Sequence, residues 1–384
     1  MFTKRMKSIC TTLVLLFCAL ATFASECFVY FGTYTGEKSR GIYGARLNPD
    51  TGKLSKPELV AEIQNPSFLA VHPSKKFLYA IGEVNDTTGK SGGRISAFSL
   101  DAEDGKLIPL NKQMSGGSGP CHVSVDATGE CLLVANYGSG SIAAFPIHAD
   151  GSLGEASASI QHAGSSVNPQ RQTGPHAHAI IPSPDNRFAL TADLGLDKVL
   201  ACRLDAATGK LTTNNPPFAT VLPGSGPRHI VFSTDGKFVY VINEMKLTVT
   251  VFAYDAKTAA MTEVQTVSTL PANYSYTDKD SCAEIAMHPC GKFLYGSNRG
   301  HNSIAVFVVD TKTGKVKLVQ NESTQGKTPR HFAIDPSGRW LFAENQNSDS
   351  IAVFAIDFAT GKIKPTGQTI TLGSPVCAVF VKPK

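Results

Sequence analysis

The sequence predicts an all-β fold, and three observations carry that reading. One stretch, residues 226–244, reads as two short strands. β-Branched and aromatic residues flank a Thr234-Asp235-Gly236 turn, which supplies the backbone freedom of a tight connection. The stretch then recurs: aligned on its turn and the aromatic that follows, copies fall at residues 65–83, 119–137, 176–194, 281–299 and 328–346. Finally, no stretch of helical character competes with these strands.

Each copy is followed by a second pair of strand-like runs. The first of the pair carries a Ser-Ile-Ala-type pattern, as at Ser141-Ile142-Ala143, Ser303-Ile304-Ala305 and Ser350-Ile351-Ala352. An Asp-x-x-Thr-Gly-Lys turn comes next, at residues 205–211, 310–316 and 357–363. Each unit thus holds four short antiparallel strands in roughly 45–55 residues, the period of a propeller blade. The ends complete the count. Residues 27–34 match the second strand of a unit whose first is missing, and residues 374–381 match a first strand with nothing after it. Six whole units plus one assembled from both ends predict a seven-bladed β-propeller, closed by pairing of the N- and C-terminal strands in one blade. Pairing the two ends completes the seventh blade, so neither terminal strand is left as half of an unfinished sheet.

Taken from the start, residues 1–24 stand apart. Lys4, Arg5 and Lys7 form a basic opening, residues 12–21 are almost wholly apolar, and Thr22-Phe23-Ala24 offers small residues for a signal peptidase. The apolar run is short for a membrane span, which needs about 20 residues. The expectation is a cleaved signal peptide, an exported (periplasmic or secreted) protein, and no stable membrane insertion after its removal. Neither Cys18 nor Cys27 follows the small residue expected before a lipidated cysteine. One domain is expected over residues 26–384, as a monomer. Its longest irregular insertions are residues 86–93, 164–174 and 272–280.

Losing Lys4, Arg5 and Lys7 takes the formal charge from +5 to +2, and no later basic run exists, so no nucleic-acid partner is expected. Nine cysteines less Cys10 and Cys18 leave seven, an odd number without a CxxC pair. That argues against a full disulfide framework and a zinc site. One pair, such as Cys282 and Cys290, is a candidate for oxidation after export.

Equivalent positions of a propeller form rings around its axis. Just after the Pro of each copy lie Ser67, Cys121, His178, Arg228, Ala283, Arg330 and Val376. The next ring is Phe68, His122, Ala179, His229, Glu284, His331 and Cys377. A third is Tyr34, Glu83, Tyr137, Leu194, Glu244, Arg299 and Gln346. Asn136, Asn243, Asn298 and Asn345 recur at one register and are expected to satisfy backbone groups. His122, His229 and His331 also recur, which suits bonding between blades. Residues that break the pattern carry more information. Arg228, Glu244, Arg299, Arg330, Glu284, Glu83 and His178 are ionisable where other blades place Ser, Ala, Val, Leu or Tyr. They would converge on one channel mouth, as a site or as compensating ion pairs in a solvated channel. His176 and His178 alternate on a strand and point to opposite faces, so one faces the channel. Arginines interrupt the carboxylates, which disfavours a cation, so neither metal nor cofactor is expected.

The seven units, Gly226-Pro227-Arg228-His229, Ile242-Asn243-Glu244, His176-Ala177-His178 and the opening Tyr30-Phe31-Gly32-Thr33-Tyr34 together resemble the seven-bladed lactonase family. That family includes 6-phosphogluconolactonase and carboxy-cis,cis-muconate cyclase, and the resemblance spans essentially all of the mature chain. It implies hydrolysis of a sugar-type lactone without a metal, by a His, two Arg and a Glu. Residue by residue, these fall on His178, Arg228, Arg299 and Glu244. The reading assigns Arg228 and Arg299 to the substrate's anionic groups or developing oxyanion, Glu244 as general base and His178 as the acid toward the ring oxygen. His176, His229, Glu284, Arg330, His331 and Glu83 are expected to bind substrate. Run in reverse, the same groups would close a lactone. A non-catalytic binding or scaffold propeller is the other class, since fold does not fix function.

Overall fold

The computed structural model describes residues 26–84, 92–101 and 103–382. The expected signal peptide and most of the 86–93 insertion lie outside the described residues. Within them, seven four-stranded antiparallel sheets are arranged as the blades of a propeller. The only helical element among the described residues is a short 3-10 turn at Gln346–Ser348.

The innermost strands are Leu69–Val71, Pro120–Val125, Ala177–Pro182, Pro227–Phe232, Ser281–Met287, Pro329–Ile334 and Pro375–Val381. Each touches the next, and the last touches the first, so the ring is closed. Closure falls where the sequence places it: Cys27–Thr33 pairs antiparallel with Pro375–Val381, with Phe31 opposite Ala378 and Gly32 opposite Cys377.

Second strands lie between neighbouring blades on both faces, which is why they read as unbroken apolar runs. All six residues of Phe238–Asn243 are buried, whereas the outer strand Ala260–Ser268 is half exposed. The core therefore sits between blades: Tyr240 and Ile242 pack with Leu294 and Phe307 of the next one. Each such large side chain contributes about 1.5–3 kcal/mol through burial. The repeated Asp-x-x-Thr-Gly turns latch these seams. Asp357 Oδ1 accepts from the backbone N–H groups of Ala359 and Thr360. Gly361 follows at φ +71°, and its carbonyl accepts the Tyr295 hydroxyl of the preceding blade at 2.7 Å. A Cβ on Gly361 would lie 2.3 Å from the Phe293 ring, so only glycine fits.

The recurring asparagines do bond backbone groups in three blades. Asn136, Asn298 and Asn345 donate to the carbonyls of Ser115, Thr269 and Thr324. Asn243 instead donates to the Thr250 hydroxyl. Trp340 is half-buried at the seam with the terminal blade, its indole N–H donating to Pro49 O at 2.9 Å. All seven cysteines of the described residues are free, which corrects the Cys282–Cys290 pairing. Cys282 is buried at the start of its strand beside Thr269 and Asn298. Cys290 is exposed in the turn past the strand's other end, beside His288.

Candidate active site

The inner strands share an irregularity that builds the site. Their pairing slips by one residue just after the Pro position: between Pro120 and His122, Ala177 and Ala179, Pro227 and His229, and Pro329 and His331. The extra residues are Cys121, His178, Arg228 and Arg330, members of the first ring read from the sequence. A β-bulge leaves its extra residue out of the ladder and re-aims the side chain. Cys121, His178 and Arg330 thereby reach a cavity of about 400 Å³, also lined by Tyr34, Glu83, Tyr137, Glu244, Ser281, Arg299 and Arg171. Arg228 lies directly behind Glu244.

Glu244 is the hub. Its Oε2 accepts from Arg228 Nε at 3.1 Å and meets Arg299 Nη2 at 3.0 Å, while Oε1 accepts from Arg171 Nη2 at 2.8 Å. Arg228 and Arg299 are pinned by backbone as well, donating to Ala283 O and Cys282 O, each at 2.6 Å. Burial pushes the Glu244 carboxyl up, but Arg299, Arg228 and Arg171 together outweigh it and hold the pKa at about 2. Arg228 responds the other way: burial, then Arg330 and Arg299, pull it down to about 10.

His178 faces this cluster across the cavity. Burial and then the charge of Arg228 push its pKa well below the usual histidine value, so it is neutral at pH 7. Its Nδ1 lies 3.7 Å from Cys121 Sγ, and its ring meets Tyr137 edge-on at 5.4 Å. His176 does not line the cavity. It stacks on Tyr137 at 4.5 Å, and its Nδ1 sits 3.0 Å from Tyr137 O. On another wall, Glu83 accepts from Tyr34 and Ser67 hydroxyls. Arg330 lies over the Tyr34 ring, 3.9 Å from Glu83. It makes no hydrogen bond to a described residue.

Besides His176, three more residues expected at the substrate lie elsewhere. His229, Glu284 and His331 are absent from the cavity lining and form a second, buried layer with Glu344. Glu284 Oε2 is 2.9 Å from His229 Nδ1 and 3.4 Å from His331 Nε2, and His331 Nδ1 is 2.9 Å from Glu344 Oε2. Phe68 packs against His122, His229 and His331. This layer touches the cavity through His178, whose ring is 5.2 Å from that of His229. Sequence reasoning missed two ionisable residues. Glu344 occupies a register held by Ile242, Ala135 and Ala192 in other blades, a break visible in the repeat alignment. Arg171 sits in the 164–174 insertion, where no repeat register exists. Among the described residues, no group of three or more His, Cys, Asp or Glu is placed to hold a metal ion.

Comparison with known proteins matches this architecture. A family model described as "Lactonase, 7-bladed beta-propeller" matches residues 28–380. A 6-phosphogluconolactonase of Bacillus subtilis (strain 168) is 37% identical over 304 residues, 79% of this chain and 83% of that protein. Two solved structures superimpose with a TM-score of 0.87. One is a candidate 6-phosphogluconolactonase of Bacteroides fragilis, 36% identical, covering 94% of this chain and 99% of that one. The other is a periplasmic gluconolactonase of Pseudomonas aeruginosa, 34% identical, covering 94% of this chain and 100% of that one. The chain therefore belongs to the seven-bladed β-propeller lactonase family of lactone-hydrolysing enzymes.

Proposed function

We propose that this protein hydrolyses a sugar-type lactone of the gluconolactone class by metal-free general acid–base catalysis, with His178 as the proton carrier. The observation that carries the reading is a neutral imidazole facing a carboxylate already neutralised by three guanidiniums. His178 takes a proton from water as the water oxygen attacks the lactone carbonyl. The oxyanion that forms is held by Arg299 and Arg330, whose mostly buried guanidiniums line the cavity. The carbon–ring-oxygen bond then breaks, and His178 returns the proton to the departing ring oxygen. The product is the open hydroxy acid, which ionises to solvent.

This replaces the base role for Glu244 with a holding role. A carboxylate at about 2 is a weak base at neutral pH, and both its oxygens are engaged by arginines. Glu244 keeps Arg228, Arg299 and Arg171 converged. Metal-free chemistry is supported by the donor set, since arginines surround the carboxylates and would repel a cation. Action after export is supported by the basic and apolar opening of residues 1–24 and by the periplasmic Pseudomonas relative. No helix of the described residues is long and apolar enough to cross a membrane.

The test is hydrolysis of gluconolactone and its 6-phosphate by the mature chain, with and without EDTA, beside His178→Ala. Turnover that survives EDTA and falls at least a hundredfold in the variant is expected. No turnover of any lactone, or loss with EDTA, would overturn the reading. The mass of the N-terminus from a periplasmic or culture fraction tests export, which retention of Met1 would contradict.

A further inference from the structure

We propose that Arg171 is the specificity-determining residue of this site. Its guanidinium leaves Glu244 to clamp an anionic group, phosphate or carboxylate, on the part of the substrate remote from the reacting carbonyl. The proposal rests on the lactonase reading of the cavity above.

Arg171 differs from the other three arginines in origin and exposure. It comes from the 164–174 insertion, not from a blade strand. Its side chain is 44% exposed, against 3%, 14% and 18% for Arg228, Arg299 and Arg330. The loop beneath it is nevertheless fixed. Asn168 Oδ1 accepts from the backbone N–H groups of Gln170 and Arg171, Gln172 Nε2 donates to Leu194 O at 2.8 Å, and Ser166 Oγ donates to Asp197 Oδ2 at 2.6 Å. A rigid base with a half-exposed head is suited to delivering one side chain over the mouth.

The partition of Glu244 makes the movement feasible. Arg171 bonds Oε1 alone, while Arg228 and Arg299 share Oε2. If Arg171 leaves, the carboxylate keeps two guanidiniums and no buried charge is stranded. A partly exposed ion pair exchanges at little cost, and a planar fork gains bidentate bonds to phosphate or carboxylate. The Tyr137 hydroxyl, 3.1 Å from the same Arg171 Nη2 and on a ring held by His176, stays as a partner of the guanidinium at the mouth when Glu244 is released. The four guanidiniums around the cavity face two carboxylates, Glu244 and Glu83, so the site carries surplus positive charge that favours an anionic ligand. Departure of Arg171 would also free Oε1 to accept from a substrate hydroxyl, coupling recognition of the anion to seating of the sugar.

Calorimetry on the mature chain tests this without turnover, using gluconate, 6-phosphogluconate and glucarate as probes. Wild type is expected to bind one of the two probes that carry a second anionic group, 6-phosphogluconate or glucarate, at least tenfold more tightly than gluconate. The stronger of the two says whether phosphate or carboxylate is read. Arg171→Ala should abolish that preference, and Arg171→Lys should restore part of it. In kinetics, Arg171→Ala should raise KM for the charged lactone at least tenfold, with a smaller change in kcat. Equal weakening of all three probes, an unaltered preference, or no preference in wild type would overturn the proposal. Anion preference that depends on Arg171 in a protein without lactone turnover would overturn the lactonase reading alone.

Discussion

Glu244 and Glu344 are both buried in the channel, yet their environments drive them in opposite directions. Three arginines hold Glu244 at a pKa of about 2. Glu344 has His331 as its hydrogen-bond partner, and burial, reinforced by the nearby Glu284, pushes its carboxyl well above the usual range. Burial alone raises both; the partner decides the outcome. The first layer is thus a charged cluster facing the cavity. The second favours the neutral form of Glu344 and seals the axis with histidines and Phe68.

Removing the Glu244 carboxylate breaks the comparison most sharply. Glu244→Ala leaves three guanidiniums converging on nothing, and urea unfolding should show a loss of about 3–5 kcal/mol. A loss below about 1 kcal/mol would mean the cluster is solvated. The pH dependence sharpens the same point. Glu244 is depressed in the fold, so its contribution is complete above the unfolded value of 4.5 and is lost as pH falls through about 2. The stability gap between wild type and Glu244→Gln should therefore shrink by about 3 kcal/mol from pH 5 to pH 2. A gap independent of pH would contradict it.

Glu344 should give the smaller effect with the opposite sign. Its folded pKa is raised, so its ionisation in the unfolded chain costs the fold stability as pH climbs above 4.5. Glu344→Gln should sit within about 1 kcal/mol of wild type at pH 5 and gain on it toward pH 8. A variant much weaker than wild type at pH 5 would show that Glu344 is held ionised.

The fold was legible because it repeats. Six copies set the register, and two partial units at residues 27–34 and 374–381 announced the closure. The ring containing His178, Arg228 and Arg330 was legible because each follows a Pro or its equivalent, although the bulge that aims them leaves no mark of its own. Roles were harder to read. Glu244 carries the same letter whether it faces one arginine or three, and Oε1 is engaged by Arg171, which lies in an insertion without register. His229, His331 and Glu284 sit one residue beyond the first ring. That single step separates the cavity from the buried layer, and composition does not encode it. Glu344 was within reach, since it alone is acidic at a register where its counterparts are apolar or small.

The measurement that bears most directly on the site is the pH dependence of kcat/KM for gluconolactone hydrolysis in wild type, His178→Ala and Glu244→Gln. With His178 as the proton carrier, wild type should keep its rate down through pH 6.5 and fall along one limb below it. That limb should vanish with most of the rate in His178→Ala and persist, at lower height, in Glu244→Gln. A limb that survives in His178→Ala and disappears in Glu244→Gln would return the base role to the carboxylate and contradict the reading.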